Sequence, residues 1–359
     1  MTQKGEIFTL PLIHESLIPL AFLERKINLE TRAIILAGDV GGTKSSMVLC
    51  QITNGQLAVL KEGIYPTKDY KSFMALTSSF LSKKLPQIDG VCLGVAGPVN
   101  NGKVKGTNFP WEITVDEIRK GLRVKWVSLI NDMEANSYGL AALQPKDLVI
   151  LKTGSEMAGN AAIISSGTGL GEAGLYWDGS RYHPFATEGG HCDFSPRNDL
   201  DIELWRFLHQ KYGHVSWERV VSGPGICDIH DFLRKFRDQP APKGFFKDNF
   251  KEDCAKAITK AALEGSDSIC IETLELFIRF LAAEAAQLAL KTKATGGIYI
   301  GGGIVPKILK GIDKEVFRKN FVQSGRMNPL LEMVPVTVVL NENTALLGAA
   351  FYGAMSIDK

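Results

Sequence analysis

Short apolar runs alternate along the chain with segments of helical spacing, and the runs end repeatedly in glycine-rich or polar turns. The run AIILAGDV at residues 33–40 predicts a buried strand. After a Gly-Thr turn, KSSMVLCQI and QLAVL predict two more strands, joined by a hairpin turn at Asn54 and Gly55. This alternation favours an α/β architecture.

The same pattern continues through the middle of the chain. GVCLGVAGPV predicts a strand that ends near Gly97 and Pro98, and VKWVSLIND predicts another, followed by a helix that ends at Pro145. Residues 161–176, AAIISSGTGLGEAGLY, repeat the opening theme of an apolar strand, a Gly-Thr turn and a strand-like run. This echo predicts two related halves that face one cleft.

The C-terminal part adds a helix with one apolar face and a further glycine turn. The face is predicted to be core and comprises Leu274, Phe277, Ile278, Leu281, Ala285 and Leu288. GGIYIGGGIVPKIL then predicts a strand, a glycine turn and a helix entered at Pro306. The last segment, NTALLGAAFYGAM, predicts a helix of small residues.

No low-complexity linker divides the chain, so the domain boundaries are expected inside the folded region. We predict a small α/β domain formed by residues 33–140 together with 335–359, and a large α/β domain at 141–334. Residues 1–32 form an N-terminal extension with short, interrupted apolar pieces, too short for a signal sequence or a membrane span. We interpret the extension as an extra helix packed on the surface or on a partner.

The composition narrows the class of protein. Of 359 residues, 45% are apolar and 22% charged, which is typical of a soluble globular protein. Lysine and arginine number 41 against 39 acids, so no global field favours a nucleic acid or a membrane, and a small uncharged substrate fits. The six cysteines include no C-x-x-C pair, and we interpret them as reduced core residues of a cytoplasmic protein.

Two glycine motifs resemble phosphate-binding loops, but their context argues against both. Gly38 to Ser45 misses the P-loop pattern by one position, and the residues after it have strand alternation, whereas a P-loop opens a helix. Gly169 to Gly174 satisfies G-x-G-x-x-G, yet the AGLYWDG that follows is poor helix material. We therefore reject both readings.

Three glycine turns remain, at Gly38 to Thr43, at Ser166 to Gly169 and at Gly301 to Gly303. Backbone N–H groups can crowd around an anion where no Cβ intervenes. A carboxylate such as Asp39 beside a polyphosphate becomes favourable once Mg²⁺ lies between them, usually with its waters retained. Asp39 therefore indicates a metal nucleotide; the alternative is that Asp39 and its glycines form only a tight turn.

Nine segments occur in the order found in one known family: GDVGGT, GVAGPV, TNFPW, IND, SSGTGLG, EGGHCDF, HVSWERVVSGPG, GGIYIGGGIVP and NENTALLG. From about residue 33 to its end, the chain resembles bacterial glucokinases of the hexokinase, actin and heat-shock ATPase superfamily. The resemblance implies an α/β, two-lobed ribonuclease H-like (actin-like ATPase) fold, with mixed sheets flanked by helices and a cleft between the lobes.

The resemblance assigns Asp132 as the general base that accepts the proton of the sugar 6-hydroxyl. An ordinary carboxylate pKa of roughly 4 leaves such a group ionised at neutral pH. The implied glucose-binding residues are Asn131, Asp132, Glu188, His191 and Glu218. Most of these residues also have an alternative role. Asn131 or Asp132 can cap the helix that follows, and His191 with Cys192 can bind zinc. The acid Glu218 can stand in a first helical turn because the helix dipole favours it there.

The resemblance also implies the nucleotide site. It places the ATP phosphates against Gly38, Asp39, Val40, Gly41, Gly42 and Thr43, and against Ser166, Gly167, Thr168 and Gly169. It places the adenosine near Gly301, Gly302 and Gly303, with Mg²⁺ held by Asp39 through water. Lys44 stands where an asparagine is expected in bacterial glucokinases. The sequence GGTK is instead common in repressor-type sugar kinases. Those kinases usually carry a cysteine-rich zinc loop, and the cysteines of this chain do not form one.

The resemblance implies ATP- and Mg²⁺-dependent phosphorylation of D-glucose to glucose 6-phosphate by a cytoplasmic homodimer. One alternative is a kinase of another hexose or of an N-acetylhexosamine. A second is a non-catalytic sugar sensor, although residues 1–32 are too short for a helix-turn-helix domain. A third is an actin-like or chaperone-like ATPase, which has no need of the sugar loop at Glu188 to His191.

Overall fold

The computed structural model describes residues 9–11, 18–20, 32–81, 87–105, 111–155, 157–242, 245 and 250–357. Most of the N-terminal extension and most of the TNFPW segment therefore lie outside the described residues. The chain divides into two α/β units. The first unit comprises Met1–Pro145, Ser180–Ala186 and Asn343–Lys359, and the second comprises Lys146–Gly179 and Thr187–Glu342.

Strands and helices alternate through most of the described chain. The strands are β1 (Thr9–Pro11), β2 (Ala33–Val40), β3 (Lys44–Thr53), β4 (Gln56–Pro66), β5 (Gly90–Val95), β6 (Lys103–Lys105), β7 (Glu112–Thr114), β8 (Trp126–Asn131), β9 (Leu148–Lys152), β10 (Ala161–Ser166), β11 (Leu170–Trp177), β12 (Tyr182–Thr187), β13 (Gly297–Gly301) and β14 (Val336–Val339). The α-helices are α1 (Phe73–Phe80), α2 (Val115–Leu122), α3 (Asp132–Gly139), α4 (Asp199–Tyr212), α5 (Gly223–Phe236), α6 (Phe250–Leu263), α7 (Ser268–Thr292), α8 (Val305–Ile308), α9 (Lys314–Val322), α10 (Asn328–Met333) and α11 (Thr344–Ser356).

The sheet of the first unit has the order β1-β4-β3-β2-β5-β8. β2 pairs in parallel with β5, and β5 with β8, so that Val40, Val95 and Asn131 lie side by side. Because parallel strands end at the same edge of a sheet, the turns that follow these three residues share one edge. The buried faces of the strands are apolar, as AIILAGDV predicted.

The predicted hairpin joins β3 to β4. Asn54 and Gly55 have φ angles of 53° and 69°, the left-handed conformation that a tight hairpin turn requires. Lys44 begins a strand rather than a helix, which confirms that the Gly38 to Ser45 motif is not a P-loop.

The described part of the N-terminal extension corrects one expectation. Residues Thr9–Pro11 form a strand, where we expected a helix, and β1 pairs antiparallel with β4. A bridge also joins Leu20 to Tyr182. The physical reason is that β4 would otherwise present unpaired backbone N–H and C=O groups, which an added strand satisfies.

Two glycines let helix α11 pack closely on helix α3. A Cβ on Gly348 would lie 1.8 Å from the carbonyl oxygen of Ala135, and one on Gly139 would lie 1.9 Å from that of Thr344. The predicted helix of small residues thus forms as α11, and its small side chains permit this approach.

The sheet of the second unit contains β11-β10-β13-β14-β9. β10 and β11 are antiparallel, and β13 and β14 add in parallel beside β10. The first unit arranges β3, β2, β5 and β8 in the same way. The repeated sequence pattern at residues 33–53 and 161–176 therefore corresponds to the same strand order in the two sheets. β11 is a strand, which confirms that the G-x-G-x-x-G match does not open a helix.

Helix α7 runs through the core of the second unit, and all six residues of its predicted apolar face are buried. The interpretation of every cysteine as reduced was wrong, because Cys227 of α5 and Cys254 of α6 form a disulfide. Their Cα atoms lie 6.0 Å apart, a proximity that depends on helix packing and not on sequence spacing. Within the described ranges, no helix has the length and apolarity needed to span a membrane.

Candidate functional site

A hydroxyl network holds the first glycine turn at the edge of the first sheet. The N–H of Gly41 donates to the carbonyl of Lys44 at 3.1 Å, which closes the turn between β2 and β3. The hydroxyl of Thr67 donates to the carbonyl of Gly41 at 2.7 Å, and the N–H of Thr67 donates to the carbonyl of Thr43 at 3.1 Å. Thr67 is fully buried and lies 2.8 Å from the hydroxyl of Ser45. Sequence reasoning missed Thr67, since nothing nearby in the chain marks it.

Asp39 lies in β2 with strands on both sides, opposite Ser46 of β3 and Gly94 of β5. Burial raises the pKa of Asp39 to about 6, and the nearby Lys44 acts in the opposite direction. Lys44 itself is exposed at the start of β3. A further cation would stabilise the ionised form of the Asp39 carboxylate, so this environment is compatible with a bound metal ion.

Asn131 and Asp132 stand where β8 ends and α3 begins. Asn131 is the N-cap: its side-chain oxygen accepts from the N–H of Met133 at 2.8 Å, while its own N–H donates to Glu134 at 3.0 Å. Its side-chain amide donates to the carbonyl of Gly97 at 3.2 Å, across to the turn after β5. The capping alternative thus applies to Asn131, and Asp132 occupies the first helical position, its Oδ1 accepting from Met133 at 3.0 Å.

Two of the three glycine turns meet in the second unit. The N–H of Gly167 donates to the carbonyl of Gly169 at 2.9 Å, and the hydroxyl of Ser166 donates to the carbonyl of Val221 at 3.0 Å. Gly302 has a φ of 90°, and a Cβ there would lie 2.2 Å from the carbonyl oxygen of Ser166. Only glycine permits this approach, which sets the Gly301 to Gly303 turn against the Ser166 to Gly169 turn.

The predicted sugar loop rests on β11 through its two glycines. A Cβ on Gly190 would lie 2.1 Å from the carbonyl oxygen of Leu170, and one on Gly189 would lie 2.0 Å from Oε2 of Glu172. The flanking residues Glu188 and His191 are exposed. The glycines therefore seat the turn on the strand and leave the two polar side chains on its outer side.

Glu218 connects the predicted sugar loop to the Ser166 to Gly169 turn within the second unit. The N–H of Trp217 donates to the carbonyl of Cys192 at 3.0 Å, which joins the Glu218 turn to the end of the loop. Oε2 of Glu218 accepts from the N–H of Leu170 at 3.0 Å, and a Cβ on Gly169 would lie 2.5 Å from the same oxygen. Glu218 is thus held by the turn that follows β10.

Two buried acids that the sequence reasoning missed lie beneath the sugar loop. Glu172 of β11 and Glu284 of α7 are 1% and 0% exposed. Burial, and then the neighbouring Glu172, raise the pKa of Glu284 to about 8, whereas Lys291, 3.1 Å away, lowers it. Burial also raises the pKa of Glu172. The sequence feature that could have indicated a buried acid is the position of Glu284 inside the apolar segment LAAEAAQ.

The structure thus divides the predicted site residues into two groups. The first unit holds the Gly38 to Thr43 turn, Asn131 and Asp132 at one sheet edge. The second unit holds Glu188, His191, Glu218 and the other two glycine turns. Across the described part of the chain, no group of three or more His, Cys, Asp or Glu side chains is placed to hold a metal ion.

Comparison with known proteins agrees with these features. The family model described as Glucokinase matches residues 36–356. A glucokinase of Nostoc sp. is 40% identical over 338 residues, covering 89% of this chain and 99% of that protein. The crystal structure of a glucokinase from an Antarctic psychrotroph is 31% identical, covers 89% of this chain and 98% of its own, and gives a TM-score of 0.73. The glucokinase of Balamuthia mandrillaris, solved in complex with glucose, is 20% identical, with coverages of 89% and 93% and a TM-score of 0.72.

The solved structures confirm the predicted α/β fold of the actin-like ATPase class. The family match and the relative confirm the resemblance drawn from the nine segments. The chain therefore belongs to the glucokinase family.

Proposed function

We propose that this chain transfers the γ-phosphoryl group of ATP to the 6-hydroxyl of D-glucose, releasing ADP and glucose 6-phosphate. Membership of a kinase family implies the use of ATP. The observation that carries the proposal is the position of Asp132, directly after β8 at the sheet edge that also carries the Gly41 to Thr43 turn. The N-cap role belongs to Asn131, so Asp132 is not needed as the helix cap.

In this proposal Asp132 is the general base. As the oxygen of the 6-hydroxyl bonds to the γ-phosphorus, the bond from that phosphorus to the bridging oxygen of ADP breaks, and the hydroxyl proton passes to the Asp132 carboxylate. Most of the rate enhancement in phosphoryl transfer comes from positioning and charge stabilisation. A carboxylate with an ordinary pKa can therefore act as the base, provided that it is held at a fixed place. The capping box of α3 provides that fixed place.

We propose that Asn131, Asp132, Glu188, His191 and Glu218 bind the sugar. Each glucose hydroxyl is both a donor and an acceptor, so an amide, carboxylates and an imidazole can distinguish their orientations. The exposure of Glu188 and His191 on the outer side of their turn supports this role. Glu218 has in addition the structural role of anchoring Leu170.

The three glycine turns are proposed to hold the nucleotide. Gly38 to Thr43 and Ser166 to Gly169 would contact the phosphates, and Gly301 to Gly303 would lie near the adenosine. The close contact of Gly302 with Ser166 supports a shared role for two of these turns. Asp39 fits a hydrated Mg²⁺, because its half-buried carboxylate would gain from a cation and one acid suffices where water fills the other positions. When bound, Mg²⁺ would neutralise charge on the phosphates.

We also propose that the enzyme is a cytoplasmic homodimer, in line with the resemblance of its motifs to bacterial glucokinases. Our proposed domains, residues 33–140 with 335–359 and residues 141–334, differ from the two units in their bounds, because β14 (Val336–Val339) pairs with β13 and β9 in the sheet of the second unit. A kinase of another hexose or of an N-acetylhexosamine is the second candidate, favoured by the GGTK sequence at Gly41 to Lys44.

The test is glucose-dependent ADP release with Mg-ATP, run on the wild type, on Asp132→Asn and on the matched control Asp116→Asn. Asp116 is an exposed acid of the same unit, so its substitution is expected to leave turnover unchanged. We expect Asp132→Asn to lose roughly a hundredfold or more of kcat while it still binds glucose. Galactose and N-acetylglucosamine serve as comparison sugars. Preference for a comparison sugar would favour the second candidate, and glucose binding without any sugar-driven turnover would contradict catalysis.

A further inference from the structure

A cavity of about 110 Å³, with both polar and apolar residues in its walls, lies in the second unit, apart from the residues assigned above to sugar and nucleotide. Its walls include Arg197, Asp201, Trp217 and Arg279, with Asn198 at the N-cap of α4. Every residue of its lining belongs to the second unit. The volume is several times the roughly 10–15 Å³ that a cavity needs to hold one water.

Two buried donors at this cavity have no hydrogen-bond partner among the described residues. They are the indole Nε1 of Trp217 and Nε of Arg279. Trp217 is 1% exposed, so its N–H cannot reach bulk water. Leaving a buried donor unsatisfied costs about 1–3 kcal/mol, and native structures rarely do so. Both donors therefore call for an acceptor inside the cavity.

Asp201 is not that acceptor, because neither of its carboxylate oxygens forms a hydrogen bond with either of the two donors. Oδ1 of Asp201 accepts from Nη2 of Arg279, and Oδ2 accepts from the backbone N–H of Arg197 at 3.0 Å. Asn198 is also used, since its side-chain oxygen accepts from the N–H of Asp201 at 3.0 Å. The two donors thus remain without an acceptor among the described residues.

The charged residues that line the cavity also favour an anionic acceptor. Two guanidinium groups, Arg197 and Arg279, face one carboxylate, Asp201, which leaves one positive charge. Burial and the neighbouring Arg279 lower the pKa of Arg197, whereas Asp201 and Glu284 raise it. An added anion would stabilise both cations, and a guanidinium group binds tetrahedral oxyanions through its planar set of donors.

We propose that this cavity binds a small tetrahedral oxyanion of the phosphate or sulfate class. Arg197, Arg279 and the indole N–H of Trp217 are its donors. The five heavy atoms of such an anion fit a cavity of this volume. The site requires no residue of the proposed phosphoryl transfer, so it stands whether or not glucose proves to be the substrate.

The experiment is a calorimetric titration of inorganic phosphate, and separately of sulfate, into the full chain. Saturating AMPPNP and Mg²⁺ are present so that the glycine turns cannot supply the signal. We expect saturable binding of one anion per chain. A parallel titration with glycerol phosphate distinguishes a free anion from a phosphate monoester: tighter binding assigns a monoester, weaker binding a free anion, and either result supports the oxyanion site.

Two variants locate the anion. Trp217→Phe retains the aromatic ring but removes the donor, and we expect about fivefold to tenfold weaker binding, as for the loss of one hydrogen bond. Arg197→Gln is expected to weaken binding by about tenfold or more, as for the loss of a charged donor. Trp205→Phe and Arg237→Gln are the matched controls, since both positions lie in the second unit away from the cavity.

Thermal unfolding of each variant checks that it folds. If Arg197→Gln does not fold, the affinity of Trp217→Phe for the anion tests the proposal. Absence of saturable binding would overturn the proposal and leave a cavity filled by water alone. Equal affinity in the wild type and Trp217→Phe would also overturn it, because the anion would then lie elsewhere.

Discussion

The carboxylate of Glu218 accepts a hydrogen bond from the backbone N–H of Leu170, 48 positions earlier in the chain, at a distance of 3.0 Å. Leu170 follows the Ser166 to Gly169 turn directly, and its carbonyl lies beneath Gly190 of the sugar loop. A single acid thus connects a proposed phosphate turn to a proposed sugar turn. This hydrogen bond explains the position of Glu218 without the helix-dipole alternative.

This bond predicts different effects for two substitutions of Glu218. Glu218→Gln keeps an oxygen that can accept from Leu170, whereas Glu218→Ala leaves that N–H without its partner. We expect the alanine variant to lose about 1–3 kcal/mol in the free energy of unfolding, and the glutamine variant to lose much less. Denaturant unfolding measures the difference, and both variants are expected to raise the KM for glucose.

Glu264→Ala is the control for this comparison, because Glu264 is an exposed acid of the same unit. If the glutamine variant proves as unstable as the alanine variant, the hydrogen bond to Leu170 is not the source of the stability.

The buried pair of Glu172 and Glu284 predicts a pH-dependent stability. Glu284 has a pKa of about 8 in the folded chain, against an ordinary value of 4.5. Between these values the folded chain keeps a proton that the unfolded chain has released, so the free energy of unfolding falls as pH rises through this window. Glu284→Gln removes that titration. We therefore expect the variant to gain stability relative to the wild type between about pH 5 and about pH 8.

Thermal melts of both proteins across this range give the measurement. Glu275→Gln is the matched control on α7, where Glu275 is exposed. A constant difference between Glu284→Gln and the wild type at every pH would contradict the proposed protonation of the pair.

Asp39 predicts a pH dependence of activity with the opposite sign. Its pKa is about 6, and only the ionised form can hold the hydrated Mg²⁺ of the proposal. We expect kcat/KM at limiting Mg²⁺ to fall as pH drops through about 6. Asp39→Asn is expected to raise the Mg²⁺ concentration needed for half-maximal activity by about tenfold or more, as for the loss of a charged ligand contact.

Lys44 provides an independent check on the Asp39 carboxylate. Because Lys44 lowers the pKa of Asp39, Lys44→Gln is expected to move the acidic limb of the profile to higher pH. Lys68→Gln, at another exposed lysine of the same unit, is the control. An acidic limb that stays unchanged in Lys44→Gln would assign the titration to another group.

The contact between α3 and α11 predicts that a usually favourable substitution will be harmful. Gly→Ala within a helix commonly stabilises by about 0.5–1 kcal/mol. A Cβ on Gly348 would overlap the carbonyl oxygen of Ala135, so we expect Gly348→Ala to destabilise by about 1–3 kcal/mol. Gly121→Ala in α2 is the control, because the atom that its Cβ would meet is the flexible end of Met74. Equal melting temperatures for the two variants would contradict close packing at Gly348.

Features that depend on short stretches of chain could be predicted from the sequence. Apolar runs and their glycine turns predicted β2, β3, β5, β8, β10 and β13, because strand alternation and turn chemistry are local. The same local reasoning rejected a P-loop at Lys44 and a dinucleotide loop at Gly169. The order of the motifs identified the family before any contact was known.

Contacts between groups far apart in the chain became known only from the folded structure. Pairing with the edge of β4 makes Thr9–Pro11 a strand rather than a helix, and packing of α5 on α6 brings Cys227 to Cys254. Burial sets the pKa of Glu284, a residue that the sequence analysis did not single out. These features depend on dielectric environment and on contacts between residues far apart in the chain, and local sequence patterns carry neither.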